Sequence, residues 1–185
     1  MAIMTPKSLA ETSAFTLIEL LVVMAILGVL ATVLLIAINP VEQLAKTRDT
    51  GRISSVTQLG RAVTSFYTTR IEAYPDPNLW NQEIVSAGEL PIFPAGIVYG
   101  AYGITNCQAN VQPAVDPTYC YSLDESGSGF GAIVFSKLES KTQTSKCTSV
   151  GDAYFVFSTA DGRGGMICSS DDPSPWEAGS VSYLD

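Results

Sequence analysis

The chain of 185 residues contains no histidine. This excludes Ser–His–Asp and Cys–His catalytic arrangements, histidine general acid–base chemistry and histidine metal ligands. Cysteine is also scarce, and none of the four cysteines lies in a C-x-x-C pair, so the usual zinc-site spacing is missing. The sequence offers no convincing nucleophile–base pair. We therefore expect no catalytic residues and no enzymatic activity.

Basic side chains are few, with ten Lys and Arg against eighteen Asp and Glu and a net charge of −8. The deficit is concentrated in residues 73–185, which carry four basic and thirteen acidic side chains. Such a surface repels a phosphate backbone, so we expect no specific nucleic-acid binding there. Five basic residues between 41 and 72 fit a solvated helix flank or contacts with acidic neighbours better than an anionic ligand: Lys46, Arg48, Arg52, Arg61 and Arg70.

One long segment is almost free of charge: between Phe15 and Ile38, Glu19 is the only charged side chain. As a helix this segment would span about 36 Å, enough to cross the core of a bilayer. It is apolar on all sides, unlike an amphipathic helix of a soluble protein. The small residue Ala14 precedes the segment, whereas the cleavage site of a secretory signal follows its apolar region. A cut at Ala14 would therefore keep this membrane helix on the mature chain.

A carboxylate at Glu19 needs an explanation, because a charge in hydrocarbon costs about 2.5–3.5 kcal/mol. One explanation is a side chain that reaches the interface near the helix end and has no role. The other is a partner cation, since cleavage after Ala14 would create an α-amino group on Phe15. In a bundle of such helices, Glu19 of one chain could meet the Phe15 amine of the next, and this pair would fix their axial stagger.

Residues 14–23, with the sequence AFTLIELLVV, resemble the class III signal of type IV pilins and pseudopilins. The resemblance implies that a prepilin peptidase cuts between Ala14 and Phe15 and methylates the new amino group of Phe15. It implies that Glu19 helps each subunit to dock into a growing fibre at a membrane assembly platform. Members of the family usually have Gly before the cut and a more basic leader, whereas this chain has Ala14 and a less basic leader. Both differences concern how efficiently the peptidase cuts the chain.

The same resemblance implies an α+β, pilin-like fold, in which a long N-terminal helix packs on a small antiparallel sheet. One half of this helix lies in the membrane, the other half is amphipathic, and Pro40 is expected to kink it without ending it. The predicted segments are a leader (1–14), a transmembrane and fibre-core helix (15–39), an amphipathic helix (40–73) and a globular head (74–185), with a variable loop (74–117) and a sheet (118–170).

Local patterns refine this organisation. Asn78 is expected to cap a short helix that runs to about Ser86. Strands at 118–123 and 130–137, and at 153–158 and 165–169, are predicted to form two hairpins, followed by an irregular tail from Asp171. Spacings of three and four residues predict one buried helical face, formed by Val41, Leu44, Ala45, Ile53, Val56, Leu59, Gly60, Val63, Phe66, Tyr67 and Ile71.

The four cysteines all follow the membrane helix, and a head outside the cytoplasm meets an oxidising compartment, which favours two disulfides over a metal site. Three connectivities are possible. We favour Cys107–Cys120 and Cys147–Cys168, because each bond would tie a segment to a nearby strand.

No metal or cofactor is expected. Calcium is the weaker alternative, because major pseudopilins of type II secretion bind calcium near their C-terminal end. Asp161, Asp171 and Asp172 could supply oxygen ligands here, although their spacing does not reproduce that site.

The function expected from the resemblance is a structural subunit that assembles with copies of itself into a type IV pilus. It would be a single-pass protein of the cytoplasmic membrane before assembly and extracellular afterwards. One alternative is a pseudopilin or minor pilin of a type II secretion or DNA-uptake system. Another is a signal-anchored surface receptor or adhesin, which would need neither a cut before Phe15 nor Glu19. The sequence leaves adhesion, motility, DNA uptake and secretion open.

Overall fold

The computed structural model describes residues 15–97, 99, 118–124, 131–147, 149 and 151–184. The chain divides into two compact units, Met1–Pro40 and Val41–Asp185. The first unit contains helix α1 (Leu17–Ile38). The remaining elements are α2 (Pro40–Thr69), α3 (Trp80–Ser86), β1 (Cys120–Leu123), β2 (Ala132–Lys137), α4 (Lys141–Thr144), a 3-10 turn (Ser145–Cys147), β3 (Asp152–Ser158) and β4 (Arg163–Ser169).

The four strands form one antiparallel sheet in the order β1-β2-β3-β4. Both predicted hairpins are present, and β2 also pairs with β3, so that Phe135 lies opposite Val156. β1 begins at Cys120, two residues later than predicted, and Phe130 lies outside the described residues. The architecture is α+β and pilin-like, as the resemblance implied.

Alternating side chains of the strands contribute to hydrophobic clusters on both faces of the sheet. On one face, Val56, Leu59 and Val63 of α2 pack with Val134 and Phe157. The opposite face carries a second cluster, which the tail covers, formed by Cys120, Ile133, Phe135, Tyr154, Val156 and Ile167 with Trp176, Val181 and Tyr183. The sheet is therefore buried on both sides, by α2 and by the tail.

The expected continuous, kinked helix is instead interrupted. α1 ends at Ile38, Asn39 adopts a left-handed conformation with φ 45° and ψ 78°, and α2 begins at Pro40. Proline disfavours a helical conformation in the residue before it, and asparagine tolerates the left-handed region better than most residues. Pro40 then occupies the first position of α2, where the missing N–H is not needed.

The buried face of α2 begins later and ends earlier than predicted. Val41, Leu44 and Ile71 were assigned to this face, but their exposed fractions are 65%, 59% and 95%. The helix ends at Thr69, and Ile71 and Glu72 both have positive φ angles, 57° and 60°. This left-handed turn takes Ile71 out of the helical phase on which its predicted burial depended.

Two charged side chains belong to the buried face that the prediction assigned to apolar residues alone. Asp49 and Arg52 have exposed fractions of 2% and 0%. Their side chains are 2.8 Å apart, and Arg52 also donates two hydrogen bonds to the carbonyl of Ile97, at 2.9 and 2.8 Å. Asp49 accepts the backbone N–H groups of Glu139 and Ser140, at 3.0 and 2.8 Å. These contacts anchor the segment between β2 and α4 on α2.

The start of α3 differs from the prediction, because Asn78 does not cap it. The residue before the helix is Leu79, whose side chain makes no capping hydrogen bond. Asp76 Oδ1 instead accepts the N–H of Asn78 at 2.7 Å, and Glu83 Oε2 accepts the N–H of Asp76 at 2.9 Å. The turn is thus held by two carboxylates, one of them inside the helix.

The tail, expected to be irregular, has few regular hydrogen bonds but a fixed place on the sheet. Asp161, in the turn between β3 and β4, accepts hydrogen bonds from the indole N–H of Trp176 (2.9 Å), the backbone N–H of Gly179 (2.7 Å) and the hydroxyl of Tyr183 (2.7 Å). The N–H of Leu184 donates to a carbonyl of β4 at 2.8 Å. One carboxylate therefore fastens the tail to the sheet.

Cys147 and Cys168 are joined by a disulfide, one of the two bonds that the sequence favoured, across a sequence separation of 21. The bond ties the turn before β3 to the end of β4. Cys107 lies outside the described residues, so the pairing of Cys107 with Cys120 stays a prediction.

Candidate processing and assembly site

Among the helices that the structure describes, α1 is the one that is long and apolar enough to cross a membrane. It has 22 residues, none of which is buried within the chain. At 1.5 Å per residue its length is about 33 Å. An apolar helix without a polar face and without internal packing requires lipid or other apolar helices around it.

The N-terminus of α1 is closed by a reciprocal capping box of Thr16 and Glu19. Thr16 Oγ1 accepts the N–H of Glu19 at 3.3 Å. In return, Glu19 Oε2 accepts the backbone N–H of Thr16 at 2.9 Å and its hydroxyl at 2.7 Å. The sequence signal for this arrangement, Thr-x-x-Glu before an apolar run, was present and overlooked.

This cap changes the interpretation of Glu19, which was expected to need the Phe15 amine as its partner. In the uncut chain the carboxylate is already hydrogen bonded, and it lies in the first helical turn, where the helix dipole favours an anion. An amine created at Phe15 would adjoin the same cap. The carboxylate is therefore positioned by Thr16 whether it then binds an amine of its own chain or of a neighbour.

The predicted cut lies just outside the helix. Phe15 has an exposed fraction of 82%, and Thr16 has an extended backbone. Because α1 begins only at Leu17, the bond before Phe15 is not within the hydrogen-bonded helix. Ala14 lies outside the described residues.

Residues 12–35 match the family model of the prokaryotic N-terminal methylation motif. The chain carries a type IV prepilin-type signal. The matched residues include Ala14, Phe15, Thr16 and Glu19, and they continue through most of α1. Neither a curated protein nor a solved structure matches the chain.

The prepilin-type signal is that of precursors of pilin-like proteins and pseudopilins. It is a structural signal rather than the signature of an enzyme family. In general it implies processing by a prepilin peptidase and assembly into filaments. The apolar helix α1 is consistent with a membrane-anchored prepilin.

The three aspartates considered for calcium are not brought together. The described residues contain no group of three or more His, Cys, Asp or Glu side chains placed to hold a metal ion. Partial burial of Asp161 would raise its pKa, but hydrogen bonds from Tyr183, Trp176 and Gly179 outweigh this effect and lower the pKa. The carboxylate oxygens of Asp161 thus accept hydrogen bonds from the tail. Asp172 accepts a hydrogen bond from Tyr154, at 3.4 Å.

Proposed function

We propose that this chain is the structural subunit of a type IV pilus. It is inserted into the cytoplasmic membrane by α1, cut between Ala14 and Phe15, methylated on the amine of Phe15 and polymerised with copies of itself. The observation that carries the proposal is the prepilin-type signal on a capped helix with no residue buried in its own chain.

The assembly step follows from the surface of α1. None of its apolar side chains is buried among the residues that the structure describes, so either lipid or the α1 helices of other subunits must surround them. Close packing of such helices in a fibre exchanges lipid contacts for helix contacts. Glu19 would then require a cation among apolar neighbours, and the Phe15 amine of an adjacent subunit supplies one.

A pseudopilin or minor pilin of a type II secretion or DNA-uptake system remains the alternative, because the same signal serves those proteins. The acidic, disulfide-containing head favours an exposed filament. A signal-anchored receptor is less well supported, since it has no use for a cleavage signal ahead of its anchor. The partners proposed are further copies of this chain, the prepilin peptidase, which also methylates the amine, and a membrane assembly platform.

Replacement of the carboxylate tests the proposal. We expect Glu19→Ala to be cut like the wild type but to reduce the filament yield in sheared surface material by about tenfold or more, because register is lost. Processing is followed by the mass of the N-terminal peptide, and assembly by the amount of sheared protein.

Thr16→Ala is the matched control, because it removes the cap and keeps the carboxylate. Loss of an N-cap costs about 1 kcal/mol of helix stability, so we expect a clearly smaller loss of filaments than in Glu19→Ala, which also removes the charge. A wild-type filament yield from Glu19→Ala would contradict the proposed role of Glu19.

A further inference from the structure

A groove of about 590 Å³ lies between α2 and the turn that joins β3 to β4. Arg61 of α2 and Arg163 at the start of β4 both line it, together with Phe155 and Phe157 of β3. Arg61 also lines a second groove, on the side of α2 that faces Glu89. The two arginines thus bring two positive charges to one open surface of a molecule that is acidic overall.

Neither arginine of the groove lies within ion-pair distance of a carboxylate among the described residues, although the charge of Arg163 helps to lower the pKa of the nearby Asp161. Within the part of the chain that the structure describes, Arg48, Arg52 and Lys137 form ion pairs, whereas Arg61 and Arg163 form none. Both are exposed. They are therefore available to a carboxylate from outside the chain.

Arg163 is nevertheless held in place. Its guanidinium lies over the ring of Tyr183, with 4.4 Å between Cζ and the ring centroid. Such stacking uses the face of the guanidinium and leaves its N–H donors usable for a bidentate contact with a carboxylate.

Threonine hydroxyls on the wall of the groove indicate what kind of ligand it suits. Thr57, Thr64 and Thr68 each donate their hydroxyl hydrogen to a backbone carbonyl three or four residues earlier, at 2.8, 2.9 and 2.8 Å. Each therefore offers only acceptor lone pairs. The threonines therefore add no donors for a free inorganic anion to those of the two arginines, whereas a protein surface supplies amide donors for the threonine oxygens beside its carboxylates.

We propose that this groove receives acidic side chains of a second copy of the chain in the filament, an inference that rests on the proposed function. Charge complementarity supports this partner, because residues 73–185 carry thirteen acidic side chains against four basic ones. Two basic grooves repel each other, so the groove of one copy meets a different surface of the next. Contacts between unlike surfaces do not form a symmetric dimer, and where their rotation does not close into a ring they build an open helical filament.

The test uses the full-length chain in cells that assemble it. Arg61→Glu/Arg163→Glu reverses the charge of the groove, and we expect about tenfold less sheared filament with unchanged cutting at Phe15, because exposed ion pairs act cooperatively among tethered subunits. Arg61→Lys/Arg163→Lys keeps the charge and should retain most of the yield. Arg61→Gln/Arg163→Gln removes the positive charges without adding negative ones and should give an intermediate filament yield. This variant keeps the test valid if the glutamate substitutions disturb folding.

Arg70→Glu is the matched control, because Arg70 is exposed, follows the last turn of α2 and does not line the groove. A wild-type yield from the charge-reversed protein would overturn the inference. An equal loss in Arg70→Glu, or in the lysine variant, would also overturn it. If inorganic phosphate raised the melting temperature of the detergent-solubilised wild type but not of the reversed protein, while both formed filaments equally, the groove would be an anion site instead.

Failure of this inference differs from failure of the proposed function. Wild-type filaments with an unaffected charge-reversed variant would count against the groove alone. Failure of the wild type itself to be cut and assembled would count against the function.

Discussion

Asp49 and Arg52 carry full charges into the core of the head. Burial of an isolated ion is strongly unfavourable, and a buried pair is tolerated only when hydrogen bonds satisfy both partners. Asp49 meets this condition through Arg52 and two backbone N–H groups, and Arg52 through Asp49 and the carbonyl of Ile97. The pair therefore fixes the position of the segment after β2 against α2, in a way that apolar contacts alone would not.

We predict that Asp49→Ala lowers the free energy of unfolding by about 3 kcal/mol, because two backbone N–H groups lose their acceptor and Arg52 keeps only the carboxylate of Glu139, 3.5 Å away. Denaturant unfolding of the full-length protein in detergent measures the change. Lys46→Ala, one helical turn earlier, is the control and should stay within about 0.5 kcal/mol of the wild type. A loss below about 1 kcal/mol for Asp49→Ala would mean that the pair does not hold the two elements together.

Asp161 makes the attachment of the tail dependent on pH. Its pKa is lowered in the folded protein, because the hydrogen bonds from Tyr183, Trp176 and Gly179 outweigh the effect of burial. A carboxyl group with a depressed folded pKa stabilises the fold at pH values above its unfolded pKa of about 3.9. This contribution is lost as the pH falls through the lower, folded value.

We predict that the tail stays attached at neutral pH and is released in acid, below about pH 4. The fluorescence of Trp176, isolated as the difference between the wild type and Trp176→Phe, follows this release. Asp161→Asn should weaken the attachment at neutral pH and abolish its change in the acid range. Emission from Trp176 that stays constant down to about pH 2 would show that the carboxylate does not hold the tail.

α2 approaches the sheet most closely at Gly60. A Cβ atom at this position would lie 2.2 Å from ring atoms of Phe157, too close for any side chain without movement of the ring. At Gly51, on the same helix, a Cβ would lie 2.5 Å from the Cδ1 end of Ile97, a flexible side chain that is able to turn away. A side chain is therefore excluded at Gly60 by the ring of Phe157, whereas Ile97 is able to make room for one at Gly51.

We predict that Gly60→Ala destabilises the head by about 1–3 kcal/mol through overpacking. Gly51→Ala should be nearly neutral, because the gain in helix propensity of about 1 kcal/mol offsets the displacement of Ile97. Thermal unfolding of both variants side by side measures the difference. Equal stability of the two would contradict the close approach of α2 to β3.

The elements that could be predicted from the sequence are those whose structure depends on a single local pattern. The apolar run made α1 unambiguous, and β-rich segments around turn residues located both hairpins. Asn39 was misjudged because the resemblance implied a continuous helix, whereas the residue before a proline favours a break. Asp49 and Arg52 were missed although their spacing, 45-49-52-56, continues the buried stripe. A charged residue three or four positions from buried apolar residues of the same helix is the signal that could have identified Asp49 and Arg52 as buried.

Other features could not be predicted, because they depend on contacts between distant segments. Nothing near Asp161 in the sequence shows that Trp176, Gly179 and Tyr183 will bind it, so the tail was expected to be irregular. Trp80 lies buried, with its ring stacked on Tyr121 at a centroid distance of 5.2 Å, a contact between segments about 40 residues apart that no local pattern indicates. The proposed assembly-site residues lie within the segment that matches the methylation motif, and their roles stay predictions; the Thr16–Glu19 cap was not predicted.

The molecule as a whole consists of two units, the unit with α1 and the head, that are stable in different surroundings. The head has its own hydrophobic clusters and a disulfide, as expected of a domain stable outside the cytoplasm. α1 has no buried residue and is complete only in lipid or among other helices. The proposed processing connects these two conditions, because a cut before Phe15 would keep α1 on the mature chain and create a new N-terminus beside Glu19.

The central claim is that the chain is cut before Phe15 and then built into a filament. The most direct measurement is the mass of the N-terminal peptide, taken separately from sheared surface material and from membranes. We predict a terminus at Phe15, one methyl group heavier, in the sheared fraction. The same peptide in membranes alone would support the pseudopilin or minor-pilin alternative. An intact Met1 terminus confined to membranes would contradict both processing and assembly, and would leave α1 as a plain anchor.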